Sequence, residues 1–174
     1  MPRNVEIKVR LADLAAARAA VARLGARLDG TDTQVDRYYT LDGGRRVKLR
    51  TFGRGGAELI TYDRPEVAGV RTSAYEITPV RDDAAGVCLV PKGEPLVVVR
   101  KRREVHLLDN VRIHLDSVDG LGTFLELEAV VDAAHEERAC ARQIDEICRA
   151  LGVDPASALR ASYAELLRAV DTPR

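Results

Sequence analysis

The chain has 174 residues and a mass of 19.0 kDa, with 46% hydrophobic and 31% charged residues. That is enough apolar material for one core, so a single domain over 1–174 is expected. Lysine plus arginine and aspartate plus glutamate are equal at 27 each. A zero formal charge gives no long-range field of one sign, which argues against a general nucleic-acid binder or an anionic-membrane binder. Aromatic residues are 4% of the chain, with no tryptophan, a poor composition for a base-stacking surface. Cys88, Cys140 and Cys148 are odd in number and lack C-x-x-C spacing, so buried structural thiols are expected rather than a disulfide framework or a zinc site. Met1 is followed by a charged strand rather than a signal sequence, and no apolar run reaches the length of a membrane span, so the cytoplasm is the expected compartment.

Asn4 to Arg10 reads as the first strand. Its alternation puts Asn4, Glu6, Lys8 and Arg10 on one face and Val5, Ile7 and Val9 on the other. Asp13 can cap a helix through Leu14, Ala17, Val21 and Leu24 that stops at Gly25. Strands are then expected over Gln34 to Leu41, Arg46 to Phe52 and Glu58 to Arg64, separated by turns at Asp42-Gly43-Gly44 and Gly53-Arg54-Gly55-Gly56 and halted by Pro65. Such tight connections imply antiparallel pairing. Arg71 to Val80 is the fifth strand, and Asp82 to Pro95, broken by Gly86, Pro91 and Gly93, reads as a connection.

Leu96 to Leu107 carries Arg100-Lys101-Arg102-Arg103 and turns at Asp109-Asn110 into Val111 to Val118. Gly120 and Gly122 precede Phe124 to Glu128, where Glu126 and Glu128 share a face. Asp132 is expected to cap a helix to Leu151, and Asp154-Pro155 to open a last helix through Leu159, Tyr163, Leu166 and Leu167. The fold class is therefore α+β: an antiparallel sheet or barrel with helices outside it and at the C-terminus.

If the sheet closes, the ionic strand faces converge inside and the aliphatic faces lie under the helices. Lys8, Arg10, Lys48, Arg50, Arg64, Arg71, Lys101, Arg103 and Arg112 then outnumber Glu6, Glu76, Asp116, Glu126 and Glu128. A net-positive cavity that also holds carboxylates suits a phosphate chain gripped by arginine and lysine, with carboxylates on Mg²⁺ or Mn²⁺.

The motifs Val5-Glu6-Ile7-Lys8, Gln34-Val35-Asp36-Arg37-Tyr38-Tyr39, Val47-Lys48-Leu49-Arg50 and Leu59 to Pro65 resemble those of the CYTH domain, the triphosphate tunnel metalloenzymes. So do Arg71 to Glu76, Val99 to Arg103, Arg112-Ile113-His114-Leu115-Asp116 and Leu121 to Glu128, and Ser162 to Leu167 resembles the C-terminal motif of the class IV adenylyl cyclase subgroup. The resemblance implies an antiparallel triphosphate tunnel. In it Lys8, Arg50, Arg64, Arg71, Lys101, Arg103 and Arg112 contact phosphate, with Lys48 as a further ligand by parity. Glu6, Asp116, Glu126 and Glu128 would bind Mg²⁺ or Mn²⁺, and Glu6, Lys8, Glu126 and Glu128 form the expected catalytic set.

Asn4 stands where the family motif E-x-E-x-K has its first glutamate. Its amide supplies an oxygen but no charge, so a second metal would be held less tightly. A structurally hydrogen-bonded role is expected for His114. The implied substrate is a nucleoside triphosphate or tripolyphosphate, and the implied reaction is ATP cyclisation. Triphosphate hydrolysis and a non-catalytic binding or sensing module are the alternatives. A homodimer is an admissible assembly.

Overall fold

The computed structural model describes residues 3–40, 46–63 and 71–171. Eight strands form a closed antiparallel barrel: β1 (Arg3–Leu11), β2 (Arg27–Thr40), β3 (Arg46–Phe52), β4 (Ala57–Asp63), β5 (Arg71–Val80), β6 (Val97–Leu108), β7 (Val111–Val118) and β8 (Gly122–Val131). Their order around the barrel is β1-β5-β4-β3-β2-β6-β7-β8, and β8 returns to β1 through a register running from Arg3 opposite Val131 to Leu11 opposite Thr123.

The core lies outside the barrel, under the helices. Val5, Ile7 and Val9 of β1, Val111, Ile113 and Leu115 of β7, and Leu125 and Leu127 of β8 pack against Val21 of α1 (Leu14–Arg23) and Ile144, Ile147 and Cys148 of α3 (Glu137–Ala150). Burying this face removes the aliphatic half of each strand from water and leaves the ionic half facing the lumen. Cys140 and Cys148 are buried and Cys88 is exposed; all are free thiols.

Asp13 caps α1 as expected, accepting hydrogen bonds from Ala15 N and Ala16 N at 2.8 and 2.9 Å. Other boundaries differ from the sequence reading. The second strand starts at Arg27 rather than Gln34, with a bulge between Leu28 and Gly30. Its first half is recruited by pairing with β6, from Arg27 opposite Leu107 onward, rather than by its own polar sequence.

The Asp82–Pro95 connection contains the short helix α2 (Asp83–Val87), capped by Asp82 accepting from Ala85 N at 2.8 Å. Asp132 does not cap α3. It closes a turn by accepting from Ala134 N and His135 N, both at 2.8 Å, and the helix begins at Glu137. Asp154-Pro155 opens only a 3-10 turn, Pro155–Ser157. The chain is then tied to β1 by Leu159 N donating to Lys8 O at 2.8 Å, which interrupts the helix expected there. The last helix, α4 (Tyr163–Asp171), starts afresh on a capping box: Ser162 N donates to Glu165 Oε2 at 2.6 Å and Glu165 N to Ser162 Oγ at 3.2 Å.

This restart sets the shape of the lumen. The antiparallel registers bring Val97 of β6, Val118 of β7, Phe124 of β8, Tyr38 of β2 and Tyr62 of β4 to one end of the barrel, and all pack with Tyr163, Leu166 or Leu167 around α4. Tyr163 meets Phe124 edge-to-face at 4.9 Å, and Arg46 pairs with Glu165 at 2.7 Å. One end is therefore covered by α4. Among the described residues, no helix is long and apolar enough to cross a membrane. The strand end predicted at Arg64-Pro65 and the turn predicted at Asp42-Gly43-Gly44 lie outside the described residues.

Gly86 approaches the barrel so closely that a Cβ there would stand 2.3 Å from Leu49 Cδ1, and Leu49 is fully buried. Gly86→Ala is expected to destabilise the protein by about 1–3 kcal/mol through overpacking, more than the gain in helix propensity returns. A lower urea midpoint at unchanged slope would register it.

Candidate functional site

The lumen is a cavity of about 360 Å³. On one side, three cations converge on a single buried carboxylate. Asp36 of β2 is 0% exposed and accepts a bidentate pair from Arg50 Nε and Nη2 at 2.7 and 2.8 Å. Lys101 Nζ of β6 adds a bond at 2.8 Å and Lys48 Nζ of β3 one at 3.4 Å. The β2–β3 register places Asp36 directly opposite Arg50, which makes the bidentate contact a cross-strand pair.

Burial raises the Asp36 pKa, but Arg50, Lys101 and Lys48 outweigh it and hold the carboxyl well below its usual range. The lysines carry the opposite strain. Burial and then the Arg50 charge push Lys101 down to about 7, with Asp36 only partly offsetting them. Lys48 is pushed to about 8 by the same two causes. Arg50 is shifted upward by Asp36 against its burial, and it stays charged.

Around the lumen from this cluster, Arg103 of β6 grips Asp116 of β7 through Nε at 2.7 Å and Nη2 at 2.5 Å and also contacts Glu126. Tyr163 of α4 donates its hydroxyl to Asp116 Oδ2 at 2.8 Å. Lys8 pairs with Glu126 at 2.7 Å and lies 4.0 Å above the Tyr163 ring. Burial raises the Glu126 pKa, yet Lys8 and Arg103 bring it well below the ordinary value.

Asp116 stands apart from the other residues of the expected metal set. Both its oxygens are occupied by Arg103 and Tyr163, it is 0% exposed, and it is not among the residues lining the cavity.

The acidic side is built by register. Arg112 of β7 stands opposite Glu128 of β8, and Glu128 opposite Glu6 of β1; one step along, His114 stands opposite Glu126 and Glu126 opposite Lys8. His114 Nδ1 is buried with no hydrogen-bond partner among the described residues, 3.8 Å from both Glu126 Oε2 and Glu128 Oε1. The hydrogen bond expected for His114 is not made through this nitrogen. The separations are too long for hydrogen bonds, and ligand atoms of the three residues lie within 4.8 Å of one another. An orphaned imidazole nitrogen between two carboxylates fits a divalent cation, which supplies the missing partner and separates like charges. Glu6 lines the same cavity outside this trio.

Asn4, 3% exposed, fills the space beside it. With its amide turned to satisfy both atoms, the oxygen accepts from Arg112 Nη2 at 2.8 Å and the nitrogen donates to Arg3 O at 3.1 Å. Arg112 also reaches Glu128 at 2.9 Å. A neutral amide thus serves Arg112 where the family motif has a carboxylate.

The structure brings Glu6, Lys8, Lys48, Arg50, Lys101, Arg103, Arg112, Glu126 and Glu128 to one cavity. Arg64 lies outside the described residues. Arg71 is placed by its backbone alone, on β5 opposite Glu6. Arg10 is exposed at the strand end, donating to Leu121 O at 2.7 Å. The sequence reading assigned no role to Asp36, nor to Tyr163 as a phenol within the lumen, and for His114 it gave a hydrogen-bonded role rather than a place in the acidic trio. Asp36 was detectable as the one carboxylate on the inward parity of Gln34, Asp36 and Tyr38.

A closed antiparallel barrel with cations and carboxylates sorted inside it is the triphosphate tunnel fold, of α+β class. The CYTH domain family model matches residues 2–163, and the chain belongs to that family. MJ0240 of Methanocaldococcus jannaschii, provisionally named an adenylate cyclase, is 28% identical over 94% of this chain and 97% of its own. Adenylate cyclase CyaB of Aeromonas hydrophila is 27% identical over 94% and 87%. Among solved structures, HpAC1 from Hippeastrum, provisionally named an adenylyl cyclase and described as revealing a dominant triphosphatase activity, superposes with a TM-score of 0.67 at 16% identity, covering 99% of this chain and 98% of that one.

Asp36→Asn removes the carboxylate that pairs directly with all three cations of the cluster, and is expected to cost about 3–5 kcal/mol at pH 7. Because the folded-state pKa of Asp36 is depressed, its contribution is present above the unfolded-state value of about 4 and fades as pH falls through the folded value. Urea unfolding of both proteins should therefore show a gap at pH 7 that narrows at about pH 3.

Proposed function

We propose that the lumen binds the triphosphate of ATP and cyclises it with a divalent cation, as an adenylyl cyclase. The observation that carries the reading is the sharing of Asp36 by Arg50, Lys101 and Lys48, which leaves cationic charge that this carboxylate does not neutralise. A polyanion completes it. The names borne by MJ0240 and CyaB support the choice of ATP and of cyclisation.

In this reaction the ribose 3′-oxygen forms a bond to the α-phosphorus, the bridge to the β-phosphate breaks, the hydroxyl proton is released and pyrophosphate leaves. Arg50, Lys48 and Lys101 grip the terminal phosphates and meet the charge that develops on pyrophosphate. Lys8, Arg103 and Arg112 hold the chain from the β1, β6 and β7 walls. His114, Glu126 and Glu128 would hold Mg²⁺ or Mn²⁺, which when bound lowers the pKa of a coordinated hydroxyl and polarises phosphoryl oxygens. Tyr163 and Phe124 under α4 keep the far end closed, limiting water at the phosphates.

Hydrolysis of a terminal phosphoanhydride is the second reading, and the activity described for HpAC1 favours it. The same residues would bind the same phosphates.

Incubating the purified protein with Mg²⁺ or Mn²⁺ and either ATP or tripolyphosphate separates the two. Cyclic AMP with pyrophosphate from ATP is expected; orthophosphate with ADP from ATP, or orthophosphate with pyrophosphate from tripolyphosphate, and no cyclic AMP, would assign hydrolysis instead. Lys101 near 7 and Lys48 near 8 are partly neutral above pH 7, and a bound triphosphate restores their protons. Calorimetry in buffers of different ionisation enthalpy should detect uptake of about one proton per tripolyphosphate at pH 8, with affinity falling as pH rises through this range.

A further inference from the structure

One polar group in the lumen belongs to neither the phosphate grip nor the acidic trio. Gln34 of β2 lines the cavity at 7% exposure, and its Oε1 is buried with no hydrogen-bond partner among the described residues. Its strand neighbours are Phe52 across β3 and Lys101 across β6. Lys101 is directed to Asp36 at 2.8 Å.

Toward the end of the barrel opposite α4, Gln34 stands beside the aromatic ring of Phe52. Phe52 closes β3 at the turn into β4, and further into the same cavity the lining includes Ile60 of β4 opposite Lys48, Ile77 of β5 opposite Ile60, and Val105 of β6 opposite His114. The Arg54 guanidinium lies 5.5 Å from the Phe52 ring centroid at this rim. An aromatic and aliphatic wall is of no use to a phosphate chain. It suits the faces of a flat heterocycle.

The orphaned acceptor narrows the choice. An ionised phosphate has no hydrogen to give, so the phosphate chain cannot satisfy Gln34 Oε1. The complementary group is an N–H or O–H on the organic part of the substrate. Leaving a buried carboxamide oxygen unpaired is costly, and that cost turns into discrimination against ligands lacking the donor.

We infer that Gln34 and the Phe52 ring beside it form a subsite for a 6-aminopurine, with the exocyclic amine donating to Gln34 Oε1. The carboxamide presents an acceptor and a donor in one plane, matching the amine and an adjacent ring nitrogen of adenine. The inference rests on the triphosphate reading above and adds the residue that selects the base. A ribose hydroxyl is the other source of a donor, and the test separates it from the amine.

Equilibrium binding is measured with metal chelated, so that nothing turns over, on the unaltered protein and on Gln34→Leu. The ligands are ATP, purine riboside triphosphate lacking the 6-amine, 2′-deoxy-ATP and 3′-deoxy-ATP lacking ribose hydroxyls, and tripolyphosphate. The unaltered protein is expected to bind ATP about tenfold more tightly than purine riboside triphosphate. Gln34→Leu should erase that preference while leaving tripolyphosphate affinity within about twofold.

Equal affinity of the unaltered protein for ATP and the 6-unsubstituted analogue would overturn the inference without recourse to any variant. So would discrimination against only a deoxy analogue, which would move the donor to the ribose, or a parallel loss of tripolyphosphate in Gln34→Leu. Failure of the unaltered protein to bind tripolyphosphate at all would overturn the triphosphate reading, and the base subsite with it.

Discussion

The interaction on which the lumen depends is the convergence of Arg50, Lys101 and Lys48 on the buried Asp36. One carboxylate holds three strands together from inside, since Asp36 belongs to β2, Arg50 and Lys48 to β3, and Lys101 to β6. A buried cation without a partner is strongly disfavoured, so Asp36 is what allows the cations to be placed there at all. It is also too little charge to neutralise them, and burial, followed by the Arg50 charge, keeps both lysine pKa values depressed in spite of it. The same arrangement therefore stabilises the empty barrel and keeps it receptive to an anion.

Charge is distributed around the lumen rather than simply accumulated. The sequence alone suggests an excess of cations, but Asp36 and Asp116 lie behind the lining and offset part of it. What remains is a separation, with Arg50, Lys48 and Lys101 on the β2, β3 and β6 side and His114, Glu126 and Glu128 on β7 and β8. Lys8, Arg103 and Arg112 sit between or beside them, each paired to a carboxylate. This is the polarity that a phosphate chain and a divalent cation need when they are held together. The helices contribute from outside: α1 and α3 bury the aliphatic strand faces, and α4 covers one end with Tyr163.

The barrel was legible because period-two alternation is written plainly in β1, β3 and β7, where polar or charged residues alternate with aliphatic ones and so mark the lumen face. Pairing partners were not legible, because parity gives a face but not which side chain arrives first. Asp116 has the parity of a ligand and is taken by Arg103 and Tyr163 instead. Asp132 and Asp154 look like helix caps because the same carboxylate-to-amide bond closes an isolated turn, and nothing local says whether a helix follows. The start of β2, Arg27 to Thr33, has little apolar content and becomes a strand through its long partner β6. His114 gave no local sign of an orphaned nitrogen, since that is a property of three strands at once.

The most direct measurement is a crystal structure with Mn²⁺ and α,β-methylene ATP, which cannot release pyrophosphate by the normal bond cleavage, with manganese located by its anomalous scattering. Phosphate oxygens within hydrogen-bond distance of Arg50, Lys48 and Lys101, and manganese between His114, Glu126 and Glu128, are the expected result. A nucleotide bound outside the lumen, with the Asp36 cluster carrying no phosphate, would contradict the assignment of the barrel as a triphosphate site.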